Sequence, residues 1–289
     1  KGNNSINLKI KIMKSNYYLK LVLGAILISA IYSFNNFISG DGVILNSSGI
    51  LWGLLSNLLI VSVLGYYTLN STVKGVKLAF SVFLIYFIIG CFNILIEAYI
   101  FNVTGRVETL NEMLKGLILA VFFTPMFIYI LDKWKGESIK LKFEKRGLFS
   151  WLWRVPLSIF LYLIFYISAG IILQMSYPEL MDFYSDKIPP VELMILTQFP
   201  RGLLFVIITV LMLRTLQLPF IKKAILVGLA FSILGGIAPL IPPNDFMPTN
   251  IRFVHGIEVG ISNFLYGFII SFLLRQKELV VDKLNAVNQ

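Results

Sequence analysis

Glu97, His255 and Glu258 are of the right type and spacing to transfer protons. His255 and Glu258 are three residues apart, which places both on one face of a helix. A carboxylate at that distance can orient the imidazole while the imidazole moves a proton, as in general acid/base catalysis. We therefore predict a catalytic role for these three residues, with either glutamate also able to act as the acid or base itself.

Arg201 is the cationic candidate for the same site, because its planar guanidinium is suited to hold a phosphate or a carboxylate. Polar residues predicted at similar depths in the membrane complete a binding site with it: Asn57, Asn93, Gln198, Arg252, Ser262 and Asn263. This set fits hydrolysis or group transfer on a lipid-linked or membrane-peptide substrate, which is our first hypothesis.

A transporter is the second hypothesis. Glu97 would carry a proton or cation, and Arg201 would supply the charge opposite to a small anionic substrate. Transporter sites often lie near the midplane beside broken helices, and Pro200 and Gly202 on either side of Arg201 predict such a break.

The same residues also have structural interpretations, which support a third hypothesis of a non-catalytic receptor, immunity or assembly subunit. Glu97 and Arg201 can form an ion pair that only fixes helix packing, since charges inside a membrane normally find a partner. The asparagines can join helices through hydrogen bonds. His255 can be solvated at the mouth of its helix.

Metal and cofactor chemistry have little support in the sequence. The chain has one histidine and one cysteine, Cys91, whereas tetrahedral zinc normally draws on several such ligands. We predict no metal site and leave the cofactor open. No catalytic motif defines the reaction.

Long apolar stretches must position these residues. The 289 residues are 57% hydrophobic and 14% charged, a composition typical of polytopic membrane proteins. About 20 apolar residues cross the hydrocarbon core as a helix. We predict an all-α bundle of eight transmembrane helices near residues 18–39, 49–69, 78–102, 114–132, 153–175, 192–216, 223–242 and 256–274.

Charge distribution predicts the orientation. Most Lys and Arg residues fall on the side of the predicted bundle that holds both termini, while acidic residues such as Asp41, Glu108 and Asp182 fall on the other. This positive-inside bias places both termini in the cytoplasm. We expect a multi-pass protein of a bacterial plasma membrane whose basic patches meet anionic lipids and do not bind nucleic acid.

The predicted layout has two halves. A basic cytosolic segment, 1–17, precedes helices one to four (18–132), a basic loop (133–152), helices five to eight (153–274) and a cytosolic tail (275–289). The tetrapeptides that begin at Ser56 and Ser262 are alike but too short to establish a repeat.

The third predicted helix defines where the site should lie. Tyr86, Gly90, Asn93 and Glu97 fall on one stripe at 100° per residue. Polar residues of five helices share the outer half of the membrane, and we therefore predict one polar cavity that opens outward.

Overall fold

The computed structural model describes residues 2–39, 47–103, 105–185, 187–243 and 247–279. The α-helices in this part of the chain are α1 Gly2–Ser39, α2 Ser47–Leu69, α3 Gly75–Phe87, α4 Asn93–Phe101, α5 Arg106–Ile130, α6 Leu148–Ser176, α7 Pro178–Tyr184, α8 Val191–Thr215, α9 Phe220–Ser232, α10 Ala238–Leu240 and α11 Thr249–Leu274. A π-helical segment, Ile88–Phe92, joins α3 to α4, and a second, Ile233–Ile237, joins α9 to α10. The strands β1 Lys142–Phe143 and β2 Glu278–Leu279 pair antiparallel.

Within the described residues, eight helical stretches are long and apolar enough to cross a membrane, which confirms the predicted all-α polytopic membrane fold. In chain order these spans are Asn16–Ser39, Gly49–Leu69, Gly75–Phe101, Arg106–Ile130, Leu148–Ser176, Val191–Thr215, Phe220–Leu240 and Thr249–Leu274. The fourth and eighth spans begin about two turns earlier than predicted. Their first turns carry charged side chains, which lower hydropathy without ending the helix.

The spans pack around an aromatic and aliphatic core. Its largest fully buried side chains include Tyr67, Phe123, Phe231 and Tyr266. Large apolar side chains such as Phe37, Tyr129 and Phe253 are instead exposed on the outside of the bundle. A surface of this kind is suited to contact with lipid, because an apolar side chain has no preference for the interior over hydrocarbon.

The two ends of the bundle differ. The end that holds residues 70–74, 131–147, 216–219 and 275–279 is called the termini end below, and the opposite end, with residues 177–185 and 241–243, the far end. At the termini end, Lys20 pairs with Asp132 and Lys223 with Glu278. The β1–β2 pair ties the basic loop to the segment that follows the eighth span.

The two halves of the chain share most of their contacts between spans. In the first half, span one contacts spans two and four, and span three contacts span four. In the second half, span five contacts spans six and eight, and span seven contacts span eight. Spans two and three of the first half also meet spans seven and six of the second. This arrangement is that of an internal repeat.

Reciprocal contacts at the termini end fix the register of the repeat. Ser71 and Leu216 form an antiparallel bridge, an interval of 145 residues (216 minus 71). The Thr72 amide donates to the Thr215 carbonyl at 2.7 Å, and the Gln217 amide donates to the Asn70 carbonyl at 2.9 Å. At this interval Thr72 is equivalent to Gln217, and Thr215 is equivalent to Asn70. Each hydrogen bond is therefore the counterpart of the other, and a two-fold relation connects the halves.

The two π-helical segments meet near the same axis. Gly90 approaches Leu234, and Gly235 approaches Ile89, again an exchange of equivalent positions. A side chain in place of either glycine would contact the other segment. Sequence identities at this interval in spans three and seven include Lys77 with Lys222, Ala79 with Ala224, Val82 with Val227, Leu84 with Leu229, Ile88 with Ile233, Gly90 with Gly235, Leu95 with Leu240 and Ile96 with Ile241.

The repeat differs from what the sequence suggested. The similar tetrapeptides at Ser56 and Ser262 lie in spans two and eight, which are not equivalent, and the position equivalent to Ser56 is Arg201. Pro200 does not end its helix, because α8 continues as one α-helix from Val191 to Thr215. The irregular backbone lies in spans three and seven instead.

A disulfide tests the two-fold contact. Partners in a non-hydrogen-bonded antiparallel pair have Cα atoms about 4.5 Å apart, which is within the usual range for a disulfide. We expect Ser71→Cys combined with Leu216→Cys, in a Cys91→Ala background, to cross-link under mild oxidation. Mass spectrometry of unreduced peptides would detect the bond. Each single variant is the control, and no cross-link in the double variant would contradict the predicted proximity.

A glycine substitution tests the packing of spans seven and eight. A Cβ added at Gly228 would lie 2.8 Å from the Phe264 carbonyl oxygen, whereas one at Gly53 meets nothing within 4 Å. Overpacking usually costs about 1–3 kcal/mol, so Gly228→Ala should lower the thermal unfolding midpoint in detergent. Gly53→Ala should leave it unchanged or raise it, and equal midpoints for the two variants would argue against this close approach.

Candidate functional site

Arg201 is held by three polar side chains in the far-end half of the bundle. Its Nη2 lies 2.7 Å from Glu97 Oε2. Its Nε donates to Asn93 Oδ1 at 3.2 Å, and its Nη1 donates to Gln198 Oε1 at 2.9 Å. Glu97 and Asn93 belong to span three, and Arg201 and Gln198 to span six. The pair therefore joins the two halves of the repeat.

Two tyrosines of span five complete the surroundings of the guanidinium. The rings of Tyr162 and Tyr166 have their centroids 5.6 Å and 6.0 Å from its Cζ. Tyr166 also lies within electrostatic range of Glu97. Aromatic faces attract a cation, so these rings stabilise a charge that has little contact with water.

Burial is unequal across the ion pair. The Arg201 side chain is 7% exposed, while the Glu97 side chain is 32% exposed. The Nδ2 of Asn93 is buried and has no hydrogen-bond partner among the described residues. A partly exposed carboxylate and a buried free donor therefore lie next to a buried cation.

The π-helical segment Ile88–Phe92 orients this part of span three. A π turn adds a residue, which rotates everything beyond it by about 100° relative to a regular helix. Below the segment, the Tyr86 ring packs against Phe123 of span four. Beyond it, Asn93 and Glu97 face Arg201 of span six. The single polar stripe predicted for this span is therefore wrong.

His255 and Glu258 form the second acid/base pair of the far end. His255 Nδ1 lies 3.3 Å from Glu258 Oε2, and the side chains are 26% and 15% exposed. The distance permits an ion pair, but the same nitrogen has no hydrogen bond of acceptable geometry with a described residue. A small rotation of either side chain would bring the pair into line.

Helix α7 connects this pair to Glu97. Its Tyr184 packs edge-on against His255, with ring centroids 6.4 Å apart, and against Phe101 at the end of span three. Burial, followed by the negative charges of Glu97 and Glu258, raises the pKa of the Tyr184 hydroxyl. Tyr162 is also within electrostatic range of both carboxylates.

The structure thus brings the three predicted catalytic residues into one region. The name far-end cluster is used below for Asn93, Glu97, Gln198, Arg201, His255 and Glu258 with Tyr162, Tyr166 and Tyr184. The sequence analysis did not predict that these tyrosines belong to the site. The one-turn spacing of Tyr162 and Tyr166 in an otherwise apolar span is the pattern that could have indicated it.

Of the other predicted binding residues, the two asparagines contact different parts of the bundle. Asn57 donates to Ser29 Oγ at 2.9 Å and joins spans one and two. Asn263 donates to the Gly235 carbonyl at 3.1 Å and binds span eight to the second π-helical segment. Arg252 is buried near the start of span eight, and Ser262 is half-buried along it. Both asparagines act as interhelical hydrogen-bond donors here.

The fold and the far-end cluster define an all-α, multi-pass membrane protein with ionisable side chains between two helical repeats. Within the described ranges, no three His, Cys, Asp or Glu side chains come together as a metal-binding group. No protein family, curated protein or solved structure matches the chain.

A double-mutant cycle measures the ion pair. Removing one member of a buried pair leaves an uncompensated charge, at a cost of about 3–5 kcal/mol when both are fully buried. Because a third of the Glu97 side chain is exposed, we expect about 1–3 kcal/mol for Glu97→Gln. Adding Arg201→Gln should recover part of this loss, as measured by unfolding in detergent.

Asp132→Asn is the matched control for this cycle. Asp132 pairs with Lys20 and has a side chain that is 81% exposed, and exposed pairs contribute about 0–1 kcal/mol. Its loss should be small. Additive effects of Glu97→Gln and Arg201→Gln would argue against direct coupling of the two charges.

Proposed function

We propose that the far-end cluster is a binding site for a small anionic substrate, and that the protein carries this substrate across the membrane together with a proton. The observation that supports this most directly is the ion pair between buried Arg201 and partly exposed Glu97. Such a pair can exchange one negative partner for another without changing the total charge of the buried site.

The exchange follows from charge balance. Arg201 is already neutralised by Glu97, so an anion that bound beside the intact ion pair would leave the buried site with a net negative charge. When Glu97 takes up a proton, its attraction for the guanidinium falls, and the carboxylate or phosphate of the substrate takes its place. The free Nδ2 of Asn93 supplies a second donor to the same anion. Substrate and proton therefore bind together.

The repeat supports transport over a purely structural role. In many transporters the substrate site lies between repeats and beside discontinuous helices. Here Glu97 and Arg201 come from opposite halves, and the π-helical segment Ile88–Phe92 lies directly below Asn93. Rocking of one half against the other would open and close this contact.

The charge distribution supports an orientation for this carrier. Among the described side chains, most Lys and Arg lie at or next to the termini end, and positive residues favour the cytoplasmic side. We therefore propose that both termini lie in the cytoplasm of a bacterial plasma membrane and that the far-end cluster opens to the outside. Accessibility of single cysteines to a membrane-impermeant reagent tests this orientation.

Proton movement in proteoliposomes tests the carrier. A pH dye inside the vesicles reports on external addition of monocarboxylates, succinate, inorganic phosphate or, as a reference, chloride at equal ionic strength. We expect at least one carboxylate or phosphate to acidify the lumen. Glu97→Gln should abolish the acidification, since the amide cannot carry the proton, and Glu112→Gln should retain it.

Failure has two recognisable forms. Wild-type protein that moves no protons with any anion of this panel would overturn the proposed carrier. Equal acidification by wild type and Glu97→Gln would leave transport in place but remove Glu97 from it.

Hydrolysis of a lipid-linked or peptide substrate is the second candidate, and the pair of His255 and Glu258 beneath Tyr184 favours it. A water molecule would give a proton to His255 while its oxygen bonds to the scissile carbon or phosphorus. The leaving group would take that proton as its bond breaks, and Glu258 would orient the imidazole.

A cleavage assay separates the two candidates. We expect His255→Gln to retain anion-linked acidification if the protein is a carrier. Turnover of a fluorescent lipid-pyrophosphate or membrane peptide by wild type, lost in His255→Gln and not accompanied by proton movement, would instead support the hydrolase.

A further inference from the structure

A basic cavity at the termini end lies on the opposite side of the bundle from the far-end cluster. Two adjoining cavities of about 310 and 280 Å³ share Phe143, Arg214 and Gln276 in their walls. The smaller one, called the arginine cavity below, is lined by Phe143, Glu144, Lys145, Arg146, Trp151, Arg214 and Gln276. Three cationic side chains and one carboxylate give it a net positive lining.

Arg146 is held firmly on one side. Its Nη2 donates to the carbonyl of Arg275, and its guanidinium stacks on the Trp151 ring with Cζ 4.9 Å from the centroid. Its Nη1 is buried and has no hydrogen-bond partner among the described residues. A buried charged donor without an acceptor is costly, so a ligand that supplied an acceptor to this nitrogen would stabilise the folded protein.

Other arginines add positive charge around Arg146. Arg214 is fixed by a 2.8 Å bond from its Nε to Gln276 Oε1, which leaves the amino groups of its fork for another acceptor. Arg154 stacks on Trp153 and donates to Ser150 nearby. Burial, followed by the positive charges of Arg154 and Arg214, lowers the pKa of the Arg146 guanidinium. Like charges brought together in this way repel one another unless an anion lies between them.

The cavity is formed by segments that hold one another in place. Strand β1 pairs with β2, and the Glu144 amide donates to the Lys277 carbonyl at 2.9 Å. Phe143 and Gln276 therefore keep fixed positions across the opening. The arginines come from the basic loop and from the end of span six, so they converge only in the folded chain.

We propose that the arginine cavity binds a phosphate group, with Arg146 Nη1 and the Arg214 fork as its principal donors. A tetrahedral oxyanion offers several acceptors to two planar forks. It would satisfy the free nitrogen and relieve the repulsion among the arginines. The phosphate belongs either to an anionic phospholipid headgroup or to a soluble phosphate compound. This site is independent of the proposed carrier activity, since no residue is shared.

Two binding measurements test the proposal on the full chain. Native mass spectrometry counts phosphatidylglycerol retained from nanodiscs that contain it with phosphatidylcholine. Calorimetry in detergent measures inorganic phosphate against chloride at equal ionic strength. We expect Arg146→Gln and Arg214→Gln each to weaken binding about tenfold or more, because each removes a charge-assisted bond.

Lys140→Gln is the matched control, because Lys140 is an exposed cation of the same loop and does not line either cavity. It should change affinity by less than about twofold if the effect is local rather than due to overall charge. If Arg146→Gln fails to fold, the affinity of Arg214→Gln for phosphate tests the proposed site by itself.

The outcomes are distinct. Retention of phosphatidylglycerol that inorganic phosphate does not displace identifies the lipid headgroup, and phosphate binding in detergent identifies a soluble ligand. Binding of neither, or an equal loss in Lys140→Gln, would overturn the proposal. Failure of the proton assay would leave this result untouched.

Discussion

A guanidinium within a transmembrane helix needs a negative partner and hydrogen-bond acceptors, because hydrocarbon supplies neither. Arg201 obtains the charge from Glu97 and its remaining acceptors from Asn93 and Gln198. Glu97 and Asn93 come from the other half of the chain, so neutralisation of one side chain fixes how the halves meet. The tyrosines of span five and the aromatic contacts of α7 surround this pair.

The internal repeat gives the site its asymmetry. At the interval that relates Ser71 to Leu216, the contact between Arg201 and Asn93 corresponds to a contact between Ser56 and Ala238. The second contact exists, since Ser56 Oγ donates to the Ala238 carbonyl at 2.7 Å. One of two equivalent interfaces is thus closed by a neutral hydroxyl bond, and the other by an ion pair. If these interfaces only had to pack, a neutral hydrogen bond such as that of Ser56 would be sufficient at both of them.

Opposite ends of the bundle hold different chemistry. The far end combines carboxylates, an imidazole and the buried arginines Arg201 and Arg252, so its net charge can change with bound protons. The termini end gathers arginines with few acidic partners among the described residues, and their charge is fixed. The first arrangement is suited to exchange of ligands and the second to retention of an anion. The long apolar spans separate them, and no described contact connects the two directly.

The sequence by itself determined the number of spans found in the described residues and the all-α class, because the bilayer sets the length of an apolar helix. It also placed His255 and Glu258 on one helix face. Which faces meet was decided only by the tertiary structure. In lipid, both the packed and the exposed faces of a helix are apolar, so periodicity carries little information on partners.

The π-helical segments also change which face of spans three and seven the later residues occupy, because each segment rotates the helix beyond it. A regular helical periodicity does not predict this rotation. For that reason the tyrosines around Glu97, the separation of Asn57 from the site and the two-fold relation of the halves emerged only from the folded chain. The repeat retains little sequence identity because many apolar side chains satisfy the same lipid-facing position, whereas the backbone contacts between Ser71 and Leu216 and between the π-helical segments depend on geometry.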